Sequence, residues 1–96
     1  MPPAAPARLA VTGRLPAAAN ALLEGAGEVD TADADGPLQR EQLLRHVAGA
    51  EAIVCFLHDR VDAELLDAAG PGLEVVANVA VGYDNVDLEE AAARGV

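Results

Sequence analysis

An unbroken run of six apolar residues, AIVCFL at positions 52–57, is the feature that most constrains the fold of this chain. A strand with one solvated face alternates apolar and polar residues, whereas this run has no polar position. The run is β-branched near its centre and has the length of one strand, so we predict a strand buried on both faces. Such strands occur mainly in parallel sheets that helices cover on both sides.

Segments of strand and helix character alternate along the rest of the chain. Further strands are predicted at residues 8–12, 28–31 and 73–77, and the second of these is expected at a sheet edge because it is only weakly apolar. Helices are predicted at about residues 16–24, 39–48, 63–69 and 88–94. Ala19, Leu22 and Leu23 recur at helical spacing in the first helix, and Asp62 and Asp87 are predicted N-caps of the last two.

The resulting order, β-α-β-α-β-α-β-α, predicts an α/β fold, a parallel sheet with helices on both faces. Val96 falls where the alternation requires a fifth strand, so we expect the sheet to be truncated there. Residues 1–7 are rich in proline and alanine and are expected to be disordered, which leaves residues 8–96 as one domain.

Composition excludes several classes of function. A net charge of −10, no lysine and two aromatic residues leave neither the cations nor the stacking surfaces that nucleic-acid binding requires. No apolar run approaches the roughly 20 residues of a membrane span, and the first residues lack signal-peptide character, so we expect a cytoplasmic chain without a membrane partner. With one cysteine and two histidines, a metal site is not expected.

Ligands of open parallel sheets bind beyond the carboxyl ends of the strands. Residues 12–14, 57–60 and 80–85 are predicted there. The last segment is the most unusual, because Gly82 is free to adopt a positive φ and a helix N-terminus follows. Successive backbone N–H groups in such a loop can converge on a small carboxylate. The alternative interpretation is an ordinary connection between a strand and a helix, since many α/β loops contain glycine.

The same residues carry a family resemblance. Residues 76–87, VANVAVGYDNVD, resemble the N-terminal-domain signature of the D-isomer-specific 2-hydroxyacid dehydrogenases, in particular the glyoxylate and hydroxypyruvate reductase branch. Residues 12–16 (TGRLP), 55–62 (CFLHDRVD) and 73–76 (LEVV) are similar to other segments of that branch, in the same order. The resemblance covers nearly all of the chain beyond its first few residues.

The resemblance implies a flavodoxin-like substrate-binding domain, which the family completes with a separate Rossmann domain that binds NAD(P) and is absent from this chain. In the family, the loop matching Val81 and Gly82 presents backbone N–H groups to the substrate carboxylate, and the strand end matching Leu57 lines the same pocket. The candidate substrate-binding residues are therefore Leu57, Ala80, Val81 and Gly82. Ala80 departs from the family, which often has serine or threonine there, and so does His58, where a small polar residue is frequent.

The family's catalytic arginine, glutamate and histidine and its G-x-G-x-x-G turn match no part of this sequence, so neither catalytic nor cofactor-binding residues are assigned. Arg14, His58 and Arg60 are not given those roles. The resemblance implies that the complete enzyme interconverts a small 2-oxo acid, of the glyoxylate or hydroxypyruvate type, and its D-2-hydroxy acid with NAD(P), as a homodimer. We expect this fragment to be inactive and to bind no dinucleotide.

Two alternatives belong to other functional classes. A free-standing signalling module of this fold, such as a response-regulator receiver, needs an acidic cluster after its first strand and a later lysine, whereas this chain has Thr12-Gly13-Arg14 and no lysine. A corepressor-type relative of the dehydrogenases would instead bind protein partners. Cys55, within the buried run, is interpreted as a small core residue, because a reactive thiol needs exposure and cationic neighbours.

Overall fold

The structure is a computed structural model that describes residues 7–96. Residues 1–6, most of the segment expected to be disordered, lie outside the described residues. Strands and helices alternate in the predicted order. The eight elements are β1 (Arg8–Val11), α1 (Ala17–Glu24), β2 (Glu28–Thr31), α2 (Arg40–Val47), β3 (Ala52–Phe56), α3 (Ala63–Ala69), β4 (Val75–Val79) and α4 (Leu88–Ala93).

The four strands form one parallel sheet in the order β2-β1-β3-β4. From β1 the chain crosses to β2 at one edge of the sheet. It then crosses back past β1 to β3, and continues in the same direction to β4 at the other edge. Right-handed crossovers, the rule for parallel strands, then place α1 on one face of the sheet and α2 and α3 on the opposite face. The predicted α/β class and the edge position of β2 are confirmed.

The main core lies between the sheet and helices α2 and α3, which pack against each other. Ile53 and Cys55 of β3 point into it and are 0% exposed. Val54, between them, faces the other side of the sheet and is also buried. The prediction that this run is buried on both faces is therefore confirmed for its centre, whereas Leu57, beyond the end of the strand, is 67% exposed.

Helix α1 forms where the helical spacing predicted it, but its apolar residues are not buried. It contains no buried residue, and Leu22 is 80% exposed. The helix contacts β2, at the edge of the sheet, and leaves β4 uncovered on this side, where Val75 and Val79 are 50% and 44% exposed. Helical spacing shows which residues share a side, but it does not show whether another element covers that side.

The predicted bounds of β4 are wrong by two residues, because residues 75–79 rather than 73–77 form the strand. Leu73 is buried in the core before the ladder begins, and the pairing of Val75 with Ala52 sets the first position. Asn78, expected to begin the following loop, instead continues the ladder opposite Cys55. This polar residue does not end the strand because its side chain finds hydrogen-bond partners.

The predicted aspartate N-caps are confirmed. The Asp62 carboxylate accepts a hydrogen bond of 3.1 Å from the backbone N–H of Leu65, and Asp87 accepts one of 3.1 Å from Glu90. Each satisfies a donor that the first turn of a helix leaves without a partner. The other predicted ends, apart from those of β4, agree with the structure or shift by one residue, as helix and strand ends generally do.

A buried polar pair joins the ends of β1 and β3 beyond their shared ladder. The Thr12 hydroxyl donates to Asp59 Oδ2 at 2.5 Å, and the backbone N–H of Phe56 donates to the same oxygen at 2.9 Å. Thr12 is 0% and Asp59 2% exposed, so neither side chain has water as an alternative partner. The pair fixes the loop after β3 against the first turn of the chain.

Replacing Thr12 by valine therefore removes one of two donors from a buried carboxylate oxygen while keeping the side-chain shape. We expect the Thr12→Val variant to lose about 1.5–3 kcal/mol of unfolding free energy, the range for hydrogen bonds to charged groups. Urea unfolding measures the loss. Thr31→Val is the matched control, because Thr31 is half-buried on β2 and its hydroxyl has no partner within residues 7–96. Equal urea midpoints for the two variants would contradict the role of the pair.

Cys55 provides a second test of the core. Burial, and then the nearby Asp59 carboxylate, raise the pKa of its thiol from 9.0 to about 12. At pH 8 the thiolate, which is the reactive form, is then about a thousandfold rarer in the folded chain than in the unfolded chain. We expect iodoacetamide to label the folded chain at least about a hundredfold more slowly than the same chain in urea. Similar rates in the two states would show that the thiol is not buried.

Candidate functional site

Two loops leave the carboxyl edge of the sheet side by side. Phe56 and Val79 are paired at the ends of β3 and β4, so Leu57 and Ala80 begin their loops from adjacent strands, roughly 4.8 Å apart in a parallel sheet. The structure therefore brings both predicted site segments, Leu57 and residues 80–82, to one place. The remaining segment predicted at this edge, residues 12–14, follows β1 on the far side of β3.

The loop after β4 exposes its backbone. Val81 is fully exposed, Gly82 is exposed and Tyr83 is 64% exposed. Within residues 7–96, the backbone N–H groups of these three residues donate no hydrogen bond. They are therefore available to a ligand without breaking a contact of the chain.

Gly82 does not adopt the positive φ that glycine allows, since positive φ occurs only at Gly49, Gly70 and Gly95 among the described glycines. A Cβ atom at residue 82 would meet nothing within 4 Å. The absence of a side chain at Gly82 therefore leaves an open approach to the backbone rather than a strained turn.

The expected contribution of a helix N-terminus is also corrected. Helix α4 begins at Leu88, and the Asp87 carboxylate already accepts from its first turn. Its negative charge occupies the position that an anionic ligand would take. The negative charge of Asp87 disfavours an anion at this helix start, so the candidate donors for a carboxylate are those of the loop.

The base of this loop is tied to the segment after β3. The N–H of Val61 donates to Asn85 O at 2.8 Å, and the N–H of Asp87 donates to Val61 O at 2.8 Å, which makes a parallel bridge between Val61 and Val86. Above it, the Asn85 side chain donates to the carbonyls of Phe56, at 3.1 Å, and Asp59, at 2.8 Å. The two loops therefore form one connected unit.

Sequence reasoning missed two asparagines in this unit, Asn78 and Asn85. Asn78 Nδ2 donates to the carbonyl of Gly82 at 3.2 Å, inside the candidate site. The available signal was a lone amide within the otherwise apolar residues 75–81, which only the three-dimensional pairing explains. Asp59 was likewise left without a role, although an acidic residue close behind a buried strand needs partners.

A cleft of about 230 Å³ opens at the carboxyl edge where β1 and β3 adjoin. His58 stacks on Phe56 with ring centroids 5.8 Å apart, and its Nε2 lies 3.7 Å from Asp59 Oδ1. A Cβ atom at Gly13 would lie 3.0 Å from the Phe56 ring, so a side chain there would require the ring to shift. The cleft is lined by Gly13, Arg14, Ala34, Asp35, Gly36, Phe56 and His58.

Arg14 is the cation that borders this cleft, and it is already paired. It contacts Asp33 and Asp35 at 2.7 Å each, and the hydrogen bond to Asp33, followed by the charge of Asp35, raises the pKa of the guanidinium. Its positive charge is therefore largely compensated before any substrate arrives.

Arg60, which follows Leu57 in the segment after β3, is also paired with a carboxylate. Its Nε lies 2.9 Å from Asp62, which also contacts Arg40. Burial alone would raise the pKa of Asp62, but the Leu65 N–H and the Arg40 guanidinium outweigh it and lower that pKa. Asp62 therefore stays ionised and holds both guanidinium groups.

The turns at this edge lack the glycine pattern of a dinucleotide-binding turn. No strand-to-helix turn of residues 7–96 carries G-x-G-x-x-G, the arrangement that brings a backbone close to a pyrophosphate. In the turn after β1, the Phe56 ring packs against Gly13, so the backbone of this turn does not line an open cradle. Among the described residues, no group of three histidine, cysteine or acidic side chains is placed to hold a metal ion, and no helix is long and apolar enough to span a membrane.

Comparison with known proteins identifies the family. Residues 9–96 match the family model described as D-isomer specific 2-hydroxyacid dehydrogenase, catalytic domain. The glyoxylate reductase/hydroxypyruvate reductase of Mus musculus is 43% identical over 98 residues, which cover 100% of this chain and 30% of that protein. The glyoxylate reductase of Thermococcus onnurineus is 42% identical over 89 residues, which cover 93% of this chain and 26% of that protein.

Solved structures agree with the sequence matches. A protein of Thermus thermophilus superposes with a TM-score of 0.83 at 41% identity, covering 93% of this chain and 28% of that one. The NADPH-dependent glyoxylate/hydroxypyruvate reductase of Sinorhizobium meliloti, in complex with NADP and malonate, gives a TM-score of 0.65 at 29% identity, covering 96% and 27%. The chain thus spans less than a third of the length of these relatives. The match over residues 9–96, with these identities, shows that the chain belongs to the D-isomer-specific 2-hydroxyacid dehydrogenase family.

Proposed function

We propose that this chain is the substrate-binding segment of an NAD(P)-dependent oxidoreductase that interconverts a small 2-oxo acid, of the glyoxylate or hydroxypyruvate type, and its D-2-hydroxy acid. The backbone N–H groups of Val81 and Gly82 hold the substrate carboxylate. Leu57 and Ala80 line the apolar side of the same pocket. The proposal rests on family membership and on the geometry of the carboxyl edge of the sheet.

The observation that carries the proposal is the set of exposed N–H groups from Val81 to Tyr83 that donate no hydrogen bond within residues 7–96. A carboxylate is a strong acceptor, and hydrogen bonds to a charged group are worth more than those to a neutral one. The relative from Sinorhizobium meliloti that was crystallised with malonate supports a small carboxylate as the ligand class.

The side chains assigned to the lining are apolar. Ala80 contributes one methyl group, and Leu57 is a branched aliphatic side chain that is 67% exposed at the start of its loop. Neither side chain can hydrogen-bond to a polar substituent of the substrate. We therefore propose that the backbone recognises the carboxylate. Leu57 and Ala80 form the apolar wall of the pocket.

We assign no chemical step to this segment. NAD(P), when bound to the complete enzyme, exchanges a hydride with the substrate carbon. Because the turns of residues 7–96 lack the glycine pattern of a dinucleotide-binding turn, the proposal places that cofactor and the catalytic residues in a Rossmann domain outside this chain. The role of this segment is to bind and orient the carboxylate, which lowers the entropic part of the barrier.

An NMR titration of the isotope-labelled chain with glyoxylate tests the proposal. We expect the amide resonances of Val81, Gly82 and the adjoining Tyr83 to shift most, because the N–H groups of Val81 and Gly82 meet the carboxylate. Val81→Pro removes one donor and is expected to weaken binding at least about tenfold, whereas the control Val81→Ala keeps that donor and binds within about twofold of the original chain. Steady turnover of glyoxylate with NADPH by the chain alone is not expected.

Glycolaldehyde, which has the aldehyde but no carboxylate, is the matched ligand. It should leave the three resonances in place at concentrations where glyoxylate moves them. Equal shifts with both compounds, or glyoxylate shifts confined to other parts of the chain, would contradict the assigned site. Steady turnover by the chain alone would contradict the proposal that the cofactor and the catalytic residues lie outside this chain.

A further inference from the structure

The contacts under the candidate site point to a role for Asn78 and Asn85 that rests on the proposed function and extends it. We infer that these two side chains form a positioning pair, which fixes the peptide between Gly82 and Tyr83 so that its N–H is presented to the substrate carboxylate. Neither side chain touches the substrate in this proposal.

The two amides bind each other reciprocally. Asn78 Nδ2 donates to Asn85 Oδ1 at 2.9 Å, and Asn85 Nδ2 donates to Asn78 Oδ1 at 3.0 Å. Both Nδ2 groups also face backbone carbonyls, which accept and never donate, so the orientation of each amide is determined by its partners. Exchanging the oxygen and nitrogen of either side chain would set oxygen against oxygen.

Each amide holds a different loop. One N–H of Asn85 is used in the pair, and the other is shared between the carbonyls of Phe56 and Asp59, on both sides of Leu57. Asn78 reaches the carbonyl of Gly82, at the centre of the loop after β4. The pair therefore fixes the spacing between the apolar wall and the carboxylate-binding backbone.

Because a peptide group is planar, the contact of Asn78 with the Gly82 carbonyl also orients the N–H of Tyr83. In a planar trans peptide, the C=O and the N–H point in opposite directions, and the described chain contains no cis peptide bond. Because the Gly82 carbonyl is held against Asn78, the N–H of Tyr83 in the same peptide points away from Asn78. That N–H donates to nothing within residues 7–96, and Tyr83 is 64% exposed.

The strand explains why an asparagine stands at this position. Asn78 is paired with Cys55 in the ladder, and the Cys55 thiol donates to Asn78 Oδ1 at 3.4 Å. This contact holds Asn78 Oδ1 on the core side, where it also accepts from Asn85 Nδ2. Asn78 Nδ2 is then free to donate to the loop. An apolar residue at position 78 would keep the strand but would give the Gly82 carbonyl no donor.

The test compares glyoxylate affinity and loop mobility in three variants. Asn78→Ala removes the support of the Gly82 carbonyl, and we expect glyoxylate affinity to fall about tenfold while resonances outside the two loops stay in place. Tyr83→Pro removes the presented N–H and leaves Asn78 intact, and we expect a similar loss. Gln42→Ala is the control, because it removes an amide that accepts a backbone N–H at 3.2 Å on α2 and should bind like the original chain.

Nitrogen relaxation without ligand separates this inference from the proposed function. In the original chain, residues 80–84 should be as rigid as α3, and in Asn78→Ala they should gain motion on the picosecond to nanosecond timescale. A rigid loop in Asn78→Ala, or affinity within twofold of the original chain in either Asn78→Ala or Tyr83→Pro, would overturn the inference. Rigidity that depends on Asn78, in a chain whose loop does not respond to glyoxylate, would support the pair and overturn the proposed function.

Discussion

The pairing of β3 with β1 on one side and β4 on the other is the constraint on which the rest of the structure depends. It buries the centre of β3 and sets the level at which β3 and β4 end, because Phe56 and Val79 are partners. Two loops then start side by side from adjacent strands. The candidate site is therefore a consequence of strand register, and a slip of one residue would move each side chain to the opposite face of the sheet.

Local sequence was sufficient where a residue's preference and its environment agree. The run at residues 52–57 predicted a central strand because no polar residue interrupts it, and Asp62 and Asp87 predicted helix starts because a carboxylate can accept from the first turn of a helix. Residues 80–82 were predicted as a loop because a glycine after a strand is a local signal, although Gly82 does not adopt the positive φ that singled it out. These features need no knowledge of what lies across the sheet.

Other features depend on contacts that no local pattern contains. The exposure of Leu22 follows from where α1 lies relative to the sheet, and the start of β4 follows from its pairing with β3. The sequence alone predicts that Asn78 begins a loop, since asparagine is disfavoured in strands. Its hydrogen bonds to Asn85 and Gly82, which the sequence does not show, explain why it lies in a strand. The sequence therefore locates the loop of the candidate site, while the side chains that hold it become visible only in three dimensions.

The proposed binding of an anion by an acidic segment presents an electrostatic problem. The chain has a net charge of −10, and Arg14 and Arg60, the arginines behind β1 and β3, are already paired with carboxylates. Distant charges are screened beyond about 8 Å at physiological ionic strength, so they affect the approach of an anion more than its final contacts. The binding energy must then come from nearby dipoles, and a peptide N–H attracts a carboxylate only when it points toward it. In such a site, the residues that orient the backbone matter more than the residues that carry charge.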